Sequence, residues 1–184
     1  MSVRFKTIIL SAITAALAFS AVTYTSCKSD KCNAIRCANG GLCKDGNCLC
    51  QSGYEGGQCE TVTRNKFLGV WTVSETSTMT DQQRNYTISI VEGDNITDVK
   101  LHNFYNLLTK DVYAITHGDS IIITGGQSIE GRNIIGYAYL DHDKNYQPNS
   151  KLIMRYAVTI NSSGAIDDYG LYPELHGQPS TALK

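Results

Sequence analysis

Seven cysteines, four histidines and one adjacent pair of aspartates are the residues of this 184-residue chain whose types could do chemistry. His102, His117, His142 and His176 stand apart, and none has a partner at the spacing that puts two metal ligands on one helix face. "DHD" at 141–143 holds three potential ligands, yet successive side chains of an extended segment point to opposite sides. The same alternation separates Asp167 from Asp168, whereas a working carboxylate pair needs both groups in one cleft. Ser162 and Ser163 fall in the turn "NSSG", with no strand-to-helix elbow to expose a nucleophile. "GGQSIEG" at 125–131 is followed by no helix that could cradle a phosphate. The expectation is a chain without catalytic residues, metal site or cofactor, in which a hydrolase would require His142 and Asp168 to converge.

Six of the cysteines lie in "CNAIRCANGGLCKDGNCLCQSGYEGGQC", residues 32–59. Little more than Ala34, Ile35, Ala38, Leu42, Leu49 and Tyr54 is apolar there, so the segment cannot bury a core and must be stapled. Six cysteines alone permit 15 pairings. The spacing, with "CANGGLC" in the middle and "GYEGGQC" at the end, resembles an epidermal-growth-factor-like (EGF-like) domain over the whole stretch. The resemblance implies Cys32–Cys43, Cys37–Cys48 and Cys50–Cys59. Many modules of that family bind calcium, a cation that wants six to eight oxygens. Here the leading residues Lys28, Ser29, Asp30 and Lys31 offer one carboxylate between two ammonium groups, and Asp45 and Asn47 lie in a short gap, so solvated turns are expected instead.

The seventh cysteine, Cys27, follows an apolar run, "TIILSAITAALAFSAV", that is preceded by Arg4 and Lys6. Such a charged opening and apolar stretch read as a secretory signal peptide over residues 1–26, too short for a spanning helix. Export favours disulfides over a zinc ribbon. "YTSC" at 24–27 looks like a bacterial lipoprotein box, with Tyr24 departing from the usual aliphatic residue. The resemblance implies lipid on the sulfur of Cys27 and a tether over 27–31. In the alternative, a secreted eukaryotic protein, Asn85, Asn95 and Asn161 stand in glycosylation tripeptides.

After residue 63 cysteine disappears and short alternating runs begin. In "KLIMRYAVTI", Leu152, Met154, Tyr156, Val158 and Ile160 share one face, as in a half-buried strand. Further strands are expected at 69–77, 85–91, 97–104, 111–116, 120–124, 133–140 and 165–172, separated by turns at 92–95, 117–120, 125–131 and 161–164. "NFYNLLTK" at 103–110 has room for one helical turn. The expected fold is mainly β: an EGF-like module at 32–60 and an antiparallel barrel or sandwich of about 7–8 strands at 64–184. "NKFLGVWTV" resembles the first motif of lipocalin-like barrels, in which a tryptophan closes the base and a late arginine covers it. The resemblance implies those roles for Trp71 and Arg155.

The formal net charge of −1 leaves no basic face for nucleic acid. Nine tyrosines of the second domain, at 86, 105, 113, 137, 139, 146, 156, 169 and 172, suit half-buried strands and also sugar or protein contacts. The expected function is a non-catalytic cell-envelope lipoprotein, held in the outer membrane by its N-terminal lipid and presenting a β domain to an unknown protein, glycan or small apolar ligand. The alternatives are a lipocalin-like carrier and a secreted protein. No ligand-binding residue can be named from the sequence.

Overall fold

The computed structural model describes residues 31–142 and 151–184. The signal peptide, Cys27 and all of the tether except Lys31 lie outside the described residues, as do Asp143 and Tyr146.

The first module is built on cystine rather than on a core. Disulfides join Cys32 to Cys43, Cys37 to Cys48 and Cys50 to Cys59. Two small hairpins hang from them, β1 (Leu42–Lys44) with β2 (Asn47–Leu49) and β3 (Tyr54–Glu55) with β4 (Thr61–Val62). Asp45 and Asn47 belong to the first hairpin, and Asp45 adopts a left-handed conformation in its turn.

The second domain is a closed barrel. Its strands are β5 (Gly69–Thr76), β6 (Gln83–Glu92), β7 (Asp98–His102), β8 (Val112–His117), β9 (Ser120–Ile129), β10 (Arg132–Asp141), β11 (Lys151–Ile160) and β13 (Ser180–Leu183). All pairings in the ring are antiparallel, with β13 joining β5 to β11 and β10 completing the circuit against β11. The short β12 (Ile166–Tyr169) takes up the rest of the edge of β11, beyond β13. Closure removes the open edges that a sandwich would keep.

Two expected elements end elsewhere, and one strand is unexpected. The turn expected at 125–131 is strand as far as Ile129, and the chain reverses at Glu130–Gly131. The last expected strand is only Ile166–Tyr169. The strand at 180–183, which no alternating run announces, closes the ring.

Inward-facing residues fill the barrel. Trp71, Val73, Ile88, Ile90, Val99, Leu101, Val112, Ile121, Ile134, Leu152, Met154, Tyr156 and Val158 are all buried. Phe104, from the 3-10 turn Phe104–Asn106 between β7 and β8, enters the lumen and packs 4.7 Å from the Tyr156 ring. The void left among Leu101, Phe104, Ile121, Ile123 and Met154 is about 10 Å³. Gly136 makes the tight wall possible: its φ is +152°, β10 shifts register beside it, and a Cβ there would lie 2.5 Å from the Arg155 carbonyl oxygen.

One end of the barrel is covered by the strand-to-strand connection out of the EGF-like module. The 3-10 turn Thr63–Lys66 leads to the buried Phe67, whose carbonyl accepts the Trp71 indole N–H at 2.7 Å. Trp71 therefore closes this end, but the cation over its ring is the Lys184 ammonium, 5.4 Å from the centroid. Arg155 instead faces outward, because it alternates with the inward Met154 and Tyr156, and donates to the Gly170 carbonyl at 2.8 Å.

The module is seated on this end. The Thr63 amide donates to the Gly53 carbonyl, and Gly53 lies so near the β6–β7 turn that a Cβ would be 2.6 Å from Ile96. Arg64 donates to the Asn95 carbonyl at 2.7 Å and pairs with Glu92 at 3.2 Å. Lys66 reaches Glu55 of the module at 2.8 Å and Asp119 of the β8–β9 turn at 2.6 Å.

Candidate binding site

The opposite end of the barrel carries a buried cluster of charged and phenolic groups. Strand alternation puts Glu75 on the inner face after Trp71 and Val73, and the register sets Arg84 of β6 directly across from it. Glu75 accepts hydrogen bonds from the Tyr156 hydroxyl at 2.5 Å and the Ser180 hydroxyl at 3.0 Å. Its other oxygen faces the Arg84 Nε at 3.8 Å. Burial pushes the Glu75 carboxyl above its usual range, although Tyr156, Ser180 and Arg84 all oppose that shift.

Asp167 on β12 is the second anion. Its carboxylate accepts from six donors: the hydroxyls of Ser77, Thr78, Tyr105 and Tyr169, the Met79 amide and Arg84 Nη2. Burial alone would raise its pKa, but the hydroxyl donors outweigh burial and hold the carboxyl below the ordinary aspartate value. The Tyr105 phenol is pushed up to about 12 by burial and by the hydrogen bond to Asp167. The Arg84 guanidinium lies 4.7 Å over the Tyr105 ring, bonds to the Tyr169 hydroxyl, and ends up stacked between two phenols and two carboxylates. A carboxylate surrounded in this way holds the rim rigid. It offers no lone pair to a substrate.

Beside the cluster lies an open pocket of about 310 Å³. Arg84, Asp167, Ser77 and Tyr105 form its inner wall; Met79, Leu107 and Ile160 line the apolar side, and Gln82, Thr80 and Arg132 stand at the mouth. Arg132 also donates to the Glu130 carbonyl at 3.3 Å. The pocket presents two guanidinium groups and several hydroxyls next to small apolar surfaces, a mixture that suits a polar ligand or a protruding partner side chain.

The residues singled out for chemistry are dispersed. Asp168, buried next to Asp167, turns the other way and accepts from the amides of Gly170, Leu171 and Tyr172, so the two carboxylates diverge. His142 bonds to Asp119 at 2.9 Å at the module end. Asp168 pairs with Ala157, which stands opposite Ile135 of β10, about 23 Å along the strand from His142 at 3.3 Å per residue. A hydrolase built on these two is thereby removed. His102 bonds to Asp111, His117 lies exposed at the β8–β9 turn, and His176 follows the Pro173–Leu175 turn. Among the described residues no group of three His, Cys, Asp or Glu side chains is placed to hold a metal ion. Of the glycosylation tripeptides, Asn85 is exposed on β6, Asn95 bonds to Asp98 and Asn161 to Ser128.

The rim cluster was missed in the sequence. One signal was available: extending the inward face of β5 from Trp71 and Val73 by two residues reaches Glu75, and the same step back from Tyr86 reaches Arg84. The third partner, Asp167, is separated from Arg84 by most of the domain and only the closed barrel brings it in.

Residues 34–62 match the family model of the Teneurin-like EGF domain, a span that holds most of the disulfide framework and stops before the barrel. No curated protein and no solved structure matches the chain.

Proposed function

We propose that the chain is a non-catalytic lipoprotein of the cell envelope, tethered in the outer membrane by lipid on Cys27, whose EGF-like module carries a β-barrel that binds a partner through its far rim. The observation that carries this reading is the polarity of the molecule. The module occupies one end of the barrel, and the open pocket with Arg84 and Arg132 lies at the other. A chain anchored just before Cys32 would hold that rim outward. A protein or glycan surface with hydrogen-bonding groups fits the pocket better than an apolar molecule does. A lipocalin-like carrier needs a lumen of roughly 300–1,000 Å³. The void among Leu101, Phe104, Ile121, Ile123 and Met154 inside this barrel has about 10 Å³.

The test is the intact mass of protein extracted from membranes. The expected species begins at Cys27, bears diacyl or triacyl mass and retains three disulfides, and Cys27→Ala moves the protein to the soluble fraction. An unmodified chain that begins elsewhere and is secreted overturns the tethered reading.

A further inference from the structure

The first hairpin of the EGF-like module has a face that neither the disulfides nor the barrel use. Leu42 and Leu49 are directly opposed across β1 and β2 and are 72% and 55% exposed. Lys44 and Asn47, opposed two residues further on, are exposed on the same face. A single exposed leucine is ordinary on a soluble surface. Two in register at the end of a hairpin, followed by a lysine, give that face a graded polarity. The contacts that seat the module on the barrel come from Gly53, Glu55 and the residues after Val62, away from this hairpin.

The chain enters the module beside the same hairpin. A Cβ built on Gly46, in the β1–β2 turn, would lie 3.3 Å from Cβ of Lys31. Cys27 precedes Cys32 by five residues, which at full extension reach only about 17 Å. If Cys27 bears lipid, the hairpin is therefore held close to the bilayer. Its charge suits that surface: Lys44 follows the leucines on their face and Lys31 lies beside the turn, with Asp45 as the opposing charge there. Lysines beside apolar residues keep their ammonium groups at the phosphates while the apolar groups enter below.

We propose that the β1–β2 hairpin is a membrane-surface foot, with Leu42 and Leu49 in the headgroup–acyl boundary and Lys44 and Lys31 at the phosphates. This rests on the lipid-anchored reading of Cys27. The foot does not hold the protein on the membrane by itself, since two leucines bury too little surface. It fixes the tilt of a chain that the lipid already holds.

Membrane-extracted full-length protein carrying Leu42→Trp, and separately Ile166→Trp at the far rim, is reconstituted into phosphatidylglycerol–phosphatidylethanolamine vesicles with brominated acyl chains. Trp71 is buried in the barrel and supplies a constant background. For the Leu42→Trp protein the expected result is a blue-shifted added emission and its quenching by bromine, and for Ile166→Trp neither change. Intact mass and vesicle sedimentation are recorded on the same samples. Acylated protein that sediments but shows no quenching for Leu42→Trp overturns the foot and leaves the anchor standing. Equal quenching for both variants also overturns it, because the molecule then has no preferred face. A chain without acyl mass that stays in the supernatant overturns both, with the mass identifying the anchor as the point of failure.

Discussion

Replacing Arg84 by methionine keeps an unbranched side chain between the phenols and removes the cation that pairs with both buried carboxylates of the rim. Glu75 and Asp167 have side chains 0% and 2% exposed, so neither can turn to water for solvation. Breaking a buried pair by removing one partner typically costs about 3–5 kcal/mol, because the charge left behind stays buried. Asp167 keeps five other donors, which favours the lower half of that range. Glu75, left with two hydroxyls, favours the upper. Loss of the guanidinium from the Tyr105 face adds about 0.5–1 kcal/mol. With a urea slope of about 2 kcal/mol/M, a loss of about 4 kcal/mol moves the midpoint down by about 2 M. Trp71, the single tryptophan, reports the transition because it is buried in the barrel. The sign of the pH dependence is fixed by Glu75. Its folded pKa is raised, so its contribution is most favourable below the unfolded carboxylate pKa and is lost as pH rises through the folded value. Without Arg84 the folded value rises further, and the deficit of the variant should shrink between pH 7 and pH 5. Asp167 runs the other way: its folded pKa is lowered, so the stability it adds is lost only as pH falls below the ordinary aspartate range. A deficit under about 1 kcal/mol at pH 7, or one that does not change between pH 7 and pH 5, refutes the account of the rim as a charge-compensated cluster.

Gly136→Ala should destabilise the barrel by about 3 kcal/mol or more, since the new Cβ meets the backbone of β11 at a φ that side chains avoid. The urea midpoint checks this, and an unchanged midpoint would mean that the kink in β10 is not needed for closure. Lys66→Met should loosen the module on the barrel by about 1 kcal/mol, seen as faster amide exchange at Thr63 with the inner strands unchanged. Burial alone would lower the Lys66 pKa, but hydrogen bonds to Asp119 and Glu55 raise it overall, so the same loosening should set in for the unsubstituted protein as pH rises through its folded value.

What could be read in the sequence follows the range of the interactions involved. The EGF-like framework is legible because its cysteines are close together and their spacing is nearly the whole structure. Strand β11 is legible because Leu152, Met154, Tyr156 and Val158 alternate without interruption. β9 ran past its expected end because Gly125 and Gly126 look like a turn, whereas the pairing of Gln127, Ser128 and Ile129 with β10 holds them in the sheet. β13 was invisible: only Ser180 and Ala182 face inward, and Pro179 just before it reads as loop. The exchange of Arg155 for Lys184 over Trp71 has the same origin, since only the path of β13 brings Lys184 to the indole. Glu75 looked like a solvent residue on composition alone, and the partners that permit its burial come from β6, β11 and β13.

The placement of β13 between β5 and β11 sets an order of events during folding. β5 is made early and pairs on one side with β6 at once, while its other edge waits for Thr181, Ala182 and Leu183. That is a delay of about a hundred residues, a long loop to close for a pairing of three, and such non-local contacts are formed slowly. Until that pairing forms, the sheet keeps an unpaired edge next to Trp71 and Val73. The cystine module needs none of these long-range pairings, so a folded head can precede an unfinished barrel, and the pairing of β13 decides when aggregation ceases to compete with folding.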